Sequence, residues 1–476
     1  MSLRVDQACH VGAQRQREVS PAFDTQCGNR LASLGSRASR TGAVRLCSND
    51  ERAPAQNRIK RIDGPFARDG IAAPHRLAWV GPALGCLMSA HVMADLLRPP
   101  FVPVHQGSAV MSHENALIVS VIHLLVILLV PGPVIWACMF DRLDLRRSSR
   151  FLGLAAILLL VAAAGLFQVS GVTAIAYLCL LAITCAAAAF FAATDYGGSE
   201  GLRAMLAWTA IGCAGALLVA IALNEYDNGR LSSRGGPTHW GMVAMVGFSL
   251  SAALRSVRVR AAVMAIALVT LLLTSARGAL LCTLVSAAIM IVITIERKHS
   301  HRRWKYYLVM AGFGLLGIVA LPVLAGPILH LDDPSRGFGS GATGRVAAWK
   351  QAWHLFEANP FLGVGYRQHE QYITVASSAH QAYLIVLSEM GALGLLVYLV
   401  LLVGGLMHMM RRALAGEDAL SLAGTAYLAS YMVIGLTEPY ALATGLIAPV
   451  LMIVVTAQAW RTYPGAASGL TGQKSL

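Results

Sequence analysis

Residues 376–394 read ASSAHQAYLIVLSEMGALG, and this stretch decides the class of the fold. It opens an apolar run that continues well beyond residue 400. About 20 consecutive apolar residues are enough to span a bilayer as a helix. His380 stands directly before the run, so the pattern predicts an imidazole at the boundary of a membrane helix.

The rest of the chain repeats this pattern. Of its 476 residues, 56% are hydrophobic and only 13% are charged, whereas soluble chains carry about 25% charged residues. We therefore predict an all-α polytopic membrane protein with about twelve transmembrane helices. The predicted spans are 77–97, 115–139, 151–169, 171–193, 203–223, 239–254, 259–275, 278–295, 305–328, 381–408, 419–436 and 441–460.

The spans divide the chain into five segments. Residues 1–75 lack hydrophobic periodicity and are predicted to form a disordered basic N-terminal tail; a start site placed too far upstream is a second interpretation. Residues 76–328 hold spans one to nine, and 329–380 form one long periplasmic loop with a short amphipathic helix. Residues 381–460 hold spans ten to twelve, followed by a cytoplasmic tail at 461–476.

The distribution of lysine and arginine predicts the orientation. Alternate short loops are basic, and such loops face the cytoplasm. They contain Arg142, Arg146, Arg147, Arg150, Arg255, Arg258, Arg260, Arg297, Lys298, Arg302, Arg303, Lys305, Arg411 and Arg412. This pattern attributes the net charge of +14 to topology and not to a nucleic-acid surface. His380 is then on the outer face.

Five arginines on the predicted outer face depart from this rule: Arg230, Arg234, Arg277, Arg345 and Arg367. Snorkelling or surface ion pairs would explain any one of them. Arg277 is harder to explain, because a lone arginine costs about 2.5–3.5 kcal/mol at the centre of a membrane helix and somewhat less at its edge. Several guanidinium groups on one face suit a phosphate or diphosphate ligand, which they bind through paired hydrogen bonds.

His380 has two interpretations, a histidine that caps a helix or a base whose pKa lies near neutrality. Glu389 follows nine residues later, about 13 Å deeper along a helix that starts at His380. We therefore expect Glu389 to give polar support by pairing with an arginine or a polar group of another span. The outer helix predicted near 345–359 carries Val346, Trp349, Trp353 and Phe356 at helical spacing, which favours packing or membrane anchoring.

Metal-binding patterns are missing from the sequence. The nine cysteines form no CxxC pair, the outer histidines follow no metal-binding spacing, and Asp332 and Asp333 are adjacent instead of spaced. We expect neither a metal ion nor another cofactor.

Four short motifs in residues 225–400 resemble the O-antigen ligase and Wzy-type polysaccharide polymerase superfamily. They are Ser275–Gly278, the G-R-x-x-x-W segment from Gly344 to Trp349, the turn Asn359–Gly365, and His380 followed by Glu389, Gly391 and Gly394. The loop that holds Arg230 and Arg234 is similar to a basic segment of that family.

The resemblance implies a metal-independent, inverting glycosyltransferase in the inner membrane of a bacterium, with its active site facing the periplasm. The implied donor is an undecaprenyl-diphosphate-linked oligosaccharide, and the implied acceptor is a glycan or lipid A–core. In that family the histidine matching His380 activates the acceptor, and the arginines matching Arg277 and Arg345 hold the diphosphate. Membrane lipids and other polysaccharide-assembly proteins are the remaining expected partners.

The resemblance leaves open whether the chain acts as a polymerase or as a ligase. A polymerase would serve polysaccharide or exopolysaccharide biosynthesis, and a ligase would serve lipopolysaccharide biosynthesis. A twelve-span transporter or flippase of lipid-linked glycan is the alternative from another class. It is less favoured because no internal repeat is evident and the unusual charges lie at the outer face.

Overall fold

The computed structural model describes residues 76–97, 113–165, 172–298 and 345–462, apart from residues 228, 235, 376, 377 and 417. All of them belong to one compact unit, Pro65–Leu476. The predicted tail 1–75, the predicted span 305–328, the first part of the predicted outer loop and the tail after residue 462 lie outside the described residues.

The described residues are almost entirely helical. The helices are α1 (Val80–Ala94), α2 (His113–Leu129), α3 (Pro131–Phe140), α4 (Ser149–Ala164), α5 (Val172–Ala193), α6 (Leu202–Leu223), α7 (Pro237–Leu250), α8 (Val257–Thr274), α9 (Arg277–Lys298), α10 (Arg345–Ala358), α11 (His369–Tyr372), α12 (Ala382–Leu414), α13 (Ala419–Ile434) and α14 (Ile447–Ala459). A two-residue hairpin pairs β1 (Tyr226–Asp227) with β2 (Arg230–Leu231) in antiparallel register.

Within the described part of the chain, 8 helical segments are long and apolar enough to cross a membrane. They are Val80–Leu97, Val121–Phe140, Leu145–Ala164, Ala174–Ala193, Leu202–Leu223, Val257–Thr274, Arg277–Arg297 and Ala382–Leu414. The helices α13 and α14 are shorter and also apolar. The prediction of an all-α polytopic membrane protein is confirmed, and the exact number of spans stays a prediction.

A proline interrupts the second predicted span. The window 115–139 contains two helices, α2 and α3, and Pro131 is the first residue of α3. Proline has no backbone N–H to donate and therefore fits the first turn of a helix better than its interior.

The first predicted span contains polar residues that the structure buries. His91 and Asp95 are 1% and 2% exposed. The carboxylate of Asp95 lies 3.2 Å from His239 Nε2 and 3.7 Å from His123 Nε2, and the rings of His91 and His123 stack with centroids 4.0 Å apart. Buried polar residues that are far apart in the sequence thus contact one another, which the pattern of a single span cannot predict.

The largest difference from the predicted spans is a sharp bend in α12. The rings of Tyr383 and Tyr398 lie 6.2 Å apart between centroids, although a straight helix would separate their Cα atoms by about 22 Å. The backbone of Gly391 is not helical, with φ 63° and ψ −168°. Residues 382–390 therefore fold back beside residues 392–401, so the predicted span 381–408 is bent at Gly391 and is not one straight helix.

Loops that the charge pattern assigns to the same side contact one another. At the predicted inner side, Asp195 pairs with Arg147 and Arg461, and Arg297 donates to the carbonyl oxygens of Ala413 and Asp418.

At the predicted outer side, arginines join separate elements. Arg230 donates to the carbonyl of Thr274, and Arg345 donates to that of Thr437. The two groups of contacts agree with the alternation of the basic loops.

Epitope insertion will test the predicted orientation. Gly229 lies in the β1–β2 turn and Gly416 follows α12, and an added Cβ would meet no atom within 4 Å at either glycine. We expect an epitope after Gly229 to bind antibody added to intact spheroplasts, and one after Gly416 to bind only after permeabilisation. The same accessibility at both positions would contradict the orientation.

Candidate functional site

The turn after α10 is bound to the bend of α12. The amides of Val364 and Gly365 donate to the carbonyl oxygens of Ser388 and Glu389, at 2.8 and 2.9 Å. The amide of Ala392 donates to the carbonyl of Pro360, at 2.8 Å. These bonds pair backbone groups next to the bend, where the helical ladder is interrupted.

Two glycines allow the two backbones to approach this closely, because neither residue has a Cβ. Gly363 and Gly391 both have positive φ, 66° and 63°. A Cβ on Gly391 would lie 2.2 Å from the carbonyl carbon of Phe361, and one on Gly363 would lie 2.3 Å from the carbonyl carbon of Glu389. The sequence predicted a turn at 359–365 but did not predict that it contacts the Glu389–Gly391 motif.

Replacing Gly391 by alanine should prevent the bend from forming. The conformation of Gly391 is one that only glycine adopts readily, and strain of this kind costs about 1–3 kcal/mol before the clash with Phe361 is added. We expect a much lower melting temperature or no folded protein in detergent. Gly153→Ala in α4 is the matched control, because its Cβ would meet nothing within 4 Å. Equal melting temperatures for the two variants would contradict this account.

The bend also determines how deep His380 lies. At 1.5 Å per residue, Gly391 stands about 30 Å along α12 from Arg412, and Tyr398 stands about 21 Å from it. Because the Tyr383 ring lies beside that of Tyr398 and the Ala382 amide donates to the Gly435 carbonyl at 2.8 Å, the start of α12 is deeper than the bend. The expectation that Glu389 lies deeper than His380 is therefore wrong, because residues 382–390 run back toward the outer side.

His380 itself does not begin a helix. Its φ is +48°, and α12 begins at Ala382 with Gln381 in the N-cap position. The His380 amide donates to Ser378 Oγ at 3.1 Å, while its imidazole Nδ1 is buried without a hydrogen-bond partner. Burial, together with the nearby charge of Arg345, lowers the pKa of His380 below its usual value.

Arg345, the first residue of α10, bridges toward the loop after α13. Its Nη1 donates to the Thr437 carbonyl at 2.9 Å, and its Nη2 lies 3.4 Å from Glu438 Oε1. Glu438 is 8% exposed, and its burial raises the pKa of the carboxyl to about 7, although the charges of Arg345 and Arg230 oppose this rise. We call Arg230, Arg345, His380 and Glu438 the outer cluster.

Glu438 is the member of the outer cluster that the sequence did not predict. It is a single acidic residue in the segment Thr437–Tyr440, and no spacing pattern connects it with an arginine. One signal was available in the sequence: Glu438 is a carboxylate in an otherwise apolar C-terminal region. Such groups are usually paired with another polar group, so a partner could have been expected.

The five predicted arginines do not all come together. Arg230 donates to the carbonyl oxygens of Thr274 and Ser275, which places it beside the start of α9 and the half-buried Arg277.

Arg234 and Arg367 pair with other groups instead, and each contacts a glutamate close to it in the sequence. Arg234 lies 3.4 Å from Glu225, and Arg367 lies 3.6 Å from Glu370 and covers the ring of Tyr177 at 5.2 Å.

Glu389 pairs with a histidine of the outer segment. Its Oε1 lies 2.5 Å from His369 Nδ1, and the two side chains are 3% and 0% exposed. The expected partner was an arginine or a polar group of another span, so the expected location of the partner was wrong. The pair lies next to the bend, where it holds α11 against α12.

Among the residues that the structure describes, no group of three His, Cys, Asp or Glu side chains is arranged to hold a metal ion. In the outer cluster, the charge of Arg345 acts on His380, and Arg345 also contacts the carboxyl of Glu438.

The fold and the outer cluster define a polytopic helical membrane protein with a recessed site of histidine and arginine. Residues 262–399 match the family model described as O-antigen ligase. This match confirms the resemblance to the O-antigen ligase and Wzy-type superfamily. It includes Arg277, Arg345, His380 and Glu389, whereas Arg230 and Glu438 lie outside the matched residues. No curated protein matches the chain.

Proposed function

We propose that the chain is an inner-membrane glycosyltransferase that moves a glycan from undecaprenyl diphosphate to a sugar hydroxyl on the periplasmic face. The observation that carries this proposal is the outer cluster, in which Arg345 contacts the Thr437 carbonyl and Glu438 and its charge acts on His380; Arg345 and His380 both lie in the segment that matches the O-antigen ligase family.

The chemistry divides between the histidine and the arginines. His380 accepts the proton of the acceptor hydroxyl. At the same time, the oxygen of that hydroxyl forms a bond to the anomeric carbon from the face opposite the leaving group. The bond from that carbon to the diphosphate breaks, and the configuration inverts. Arg345, with Arg277 and Arg230, stabilises the charge of the departing diphosphate.

The position of the site below the bend supports a lipid-linked donor. The diphosphate of such a lipid lies at the outer membrane boundary, and the start of α12 lies about 10 Å below the level of Gly391. Arginines at this depth contact the diphosphate while the lipid chain stays within the bilayer.

The lipid-linked glycan that accumulates in a deletion strain will test the proposal. Accumulation of single repeats would identify a polymerase, and accumulation of full-length chains would identify a ligase. If neither accumulates, the proposed reaction is wrong, and transport or a scaffolding role becomes the better account.

Transfer by the purified protein should not depend on divalent metal, because the arginines supply the charge that a metal ion would otherwise supply. We expect the rate with a lipid-linked donor to be the same in buffer and in EDTA. Loss of activity in EDTA, with recovery on adding magnesium or manganese, would refute this expectation.

A further inference from the structure

Glu438 is a buried carboxyl group that the proposed transfer mechanism does not use. It lies in the loop after α13, 8% exposed, with Oε1 3.4 Å from Arg345 Nη2. Arg345 also uses Nη1, which donates to the Thr437 carbonyl. Both terminal nitrogens of this guanidinium are therefore engaged by the loop that holds Glu438.

The charged and titratable groups that face Glu438 come from several elements. Arg345 of α10 and Arg230 of β2 are the cations, Cys282 of α9 contributes a thiol, and Tyr440 lies in the same loop. Asp95 also acts on Tyr440 from the end of α1. Among these groups, Glu438 is the carboxyl that contacts Arg345 directly.

A diphosphate and this carboxylate can use the same donors of Arg345. Arginine binds phosphate best when two of its N–H groups donate to phosphate oxygens together. If the diphosphate takes the Nη2 donor that Glu438 now contacts, the carboxylate of Glu438 is left buried beside new negative charge. Both changes favour the protonated carboxyl, because burial and a like charge each raise the pKa of an acid.

We propose that Glu438 is a counter-ion that holds Arg345 until the donor diphosphate replaces it, and that Glu438 takes up one proton when the donor binds. The inference rests on the proposed function and adds that donor binding is linked to protonation. Glu438 acts through Arg345 and is a positioning residue.

The sign of the pH dependence follows from linkage. The pKa of Glu438 is about 7 in the free protein, and it rises further in the complex because the diphosphate is anionic. The complex therefore binds more protons than the free protein, so donor affinity is highest below pH 7 and falls as the pH rises above it. Between pH 6 and pH 8 the dissociation constant should increase about tenfold.

Calorimetry on the purified full-length protein can measure this linkage. The probe is undecaprenyl diphosphate carrying one N-acetylglucosamine, a diester whose two phosphates stay ionised throughout this range. Wild type should bind it about tenfold more weakly at pH 8 than at pH 6, and Glu438→Gln should remove that difference. Glu357→Gln is the control, because Glu357 lies on α10 and contacts Trp353 and His354. It should behave as wild type.

Each outcome has a separate meaning. Equal pH dependence in wild type and Glu438→Gln would overturn the counter-ion role while leaving a diphosphate site in place. If folded wild type fails to bind the probe at both pH values, the proposed function fails with it. If Glu438→Gln does not fold, the test is made on wild type alone. Binding heats are then measured at pH 8 in two buffers of different ionisation enthalpy. They must show that about one proton is taken up when the probe binds.

Discussion

Replacing His380 by alanine is expected to slow glycan transfer about 10²–10⁴-fold, the usual contribution of a general base. The acceptor hydroxyl would then have to lose its proton without a base beside it. Donor binding should change little, because we propose that arginines hold the diphosphate and because His380 carries no charge when it acts as a base. Turnover and the dissociation constant of the donor, both measured on purified protein, will separate the two effects.

His354→Ala is the matched control for this experiment. His354 lies on the exposed side of α10 and pairs with Glu357, so its removal should leave turnover unchanged. If His380→Ala retains near-normal transfer in a well-folded protein, His380 has no catalytic role.

The pH profile of wild type gives an independent check on the same base. Burial and the charge of Arg345 lower the pKa of His380 below its ordinary value, which is about 6.5. The imidazole therefore stays neutral, and active as a base, down to a lower pH than a free histidine would. We expect the midpoint of the acidic fall in kcat/KM, which reports the free enzyme, to lie below the ordinary histidine value of about 6.5.

Hydropathy and charge were sufficient to predict the helical membrane fold. Runs such as 202–223 are long, apolar and bounded by polar residues. In lipid, the backbone N–H and C=O groups of such a run must bond to one another, and a helix allows this within a single segment. The charge pattern also predicted that Arg345 and His380 lie on one face of the membrane, and in the structure the charge of Arg345 acts on His380.

The bend at Gly391 could not be predicted from the apolar run. Apart from Ser388 and Glu389, the sequence is apolar on both sides of Gly391 between residues 382 and 402, so its composition does not indicate a bend. The bend depends on φ at one glycine and on a turn that lies some thirty residues earlier in the sequence. The contact between Gly391 and Phe361 and the backbone hydrogen bonds beside it show that the two motifs form one unit.

Charge alone also could not show which arginines share a site. Arg234 and Arg367 have the same charge and the same predicted side as Arg345, yet each pairs with a nearby glutamate. Arg345 instead pairs with Glu438, far along the chain. Because Arg345 and Glu438 are far apart in the sequence, no local sequence pattern indicates that they pair.

Arg345→Ala should lower turnover about 10²–10³-fold, the usual effect of removing one group that stabilises transition-state charge. Unlike His380→Ala, it should also weaken donor binding, because Arg345 is proposed to contact the diphosphate in the ground state. Arg345→Lys should fall between wild type and Arg345→Ala, since lysine keeps the charge but cannot form two parallel hydrogen bonds. Lys350→Ala, on an exposed position of the same helix, is the control.

A second effect separates the role of Arg345 in stability from its role in catalysis. Without Arg345, the buried carboxyl of Glu438 loses its ion-pair partner, which should destabilise the protein by about 1–3 kcal/mol. Because burial raises the pKa of Glu438 to about 7, this loss should be smaller at pH 6 than at pH 8. The double variant Arg345→Ala/Glu438→Gln should recover the melting temperature and not the turnover. Recovery of both would show that Arg345 serves only to balance Glu438 and that the diphosphate is bound elsewhere.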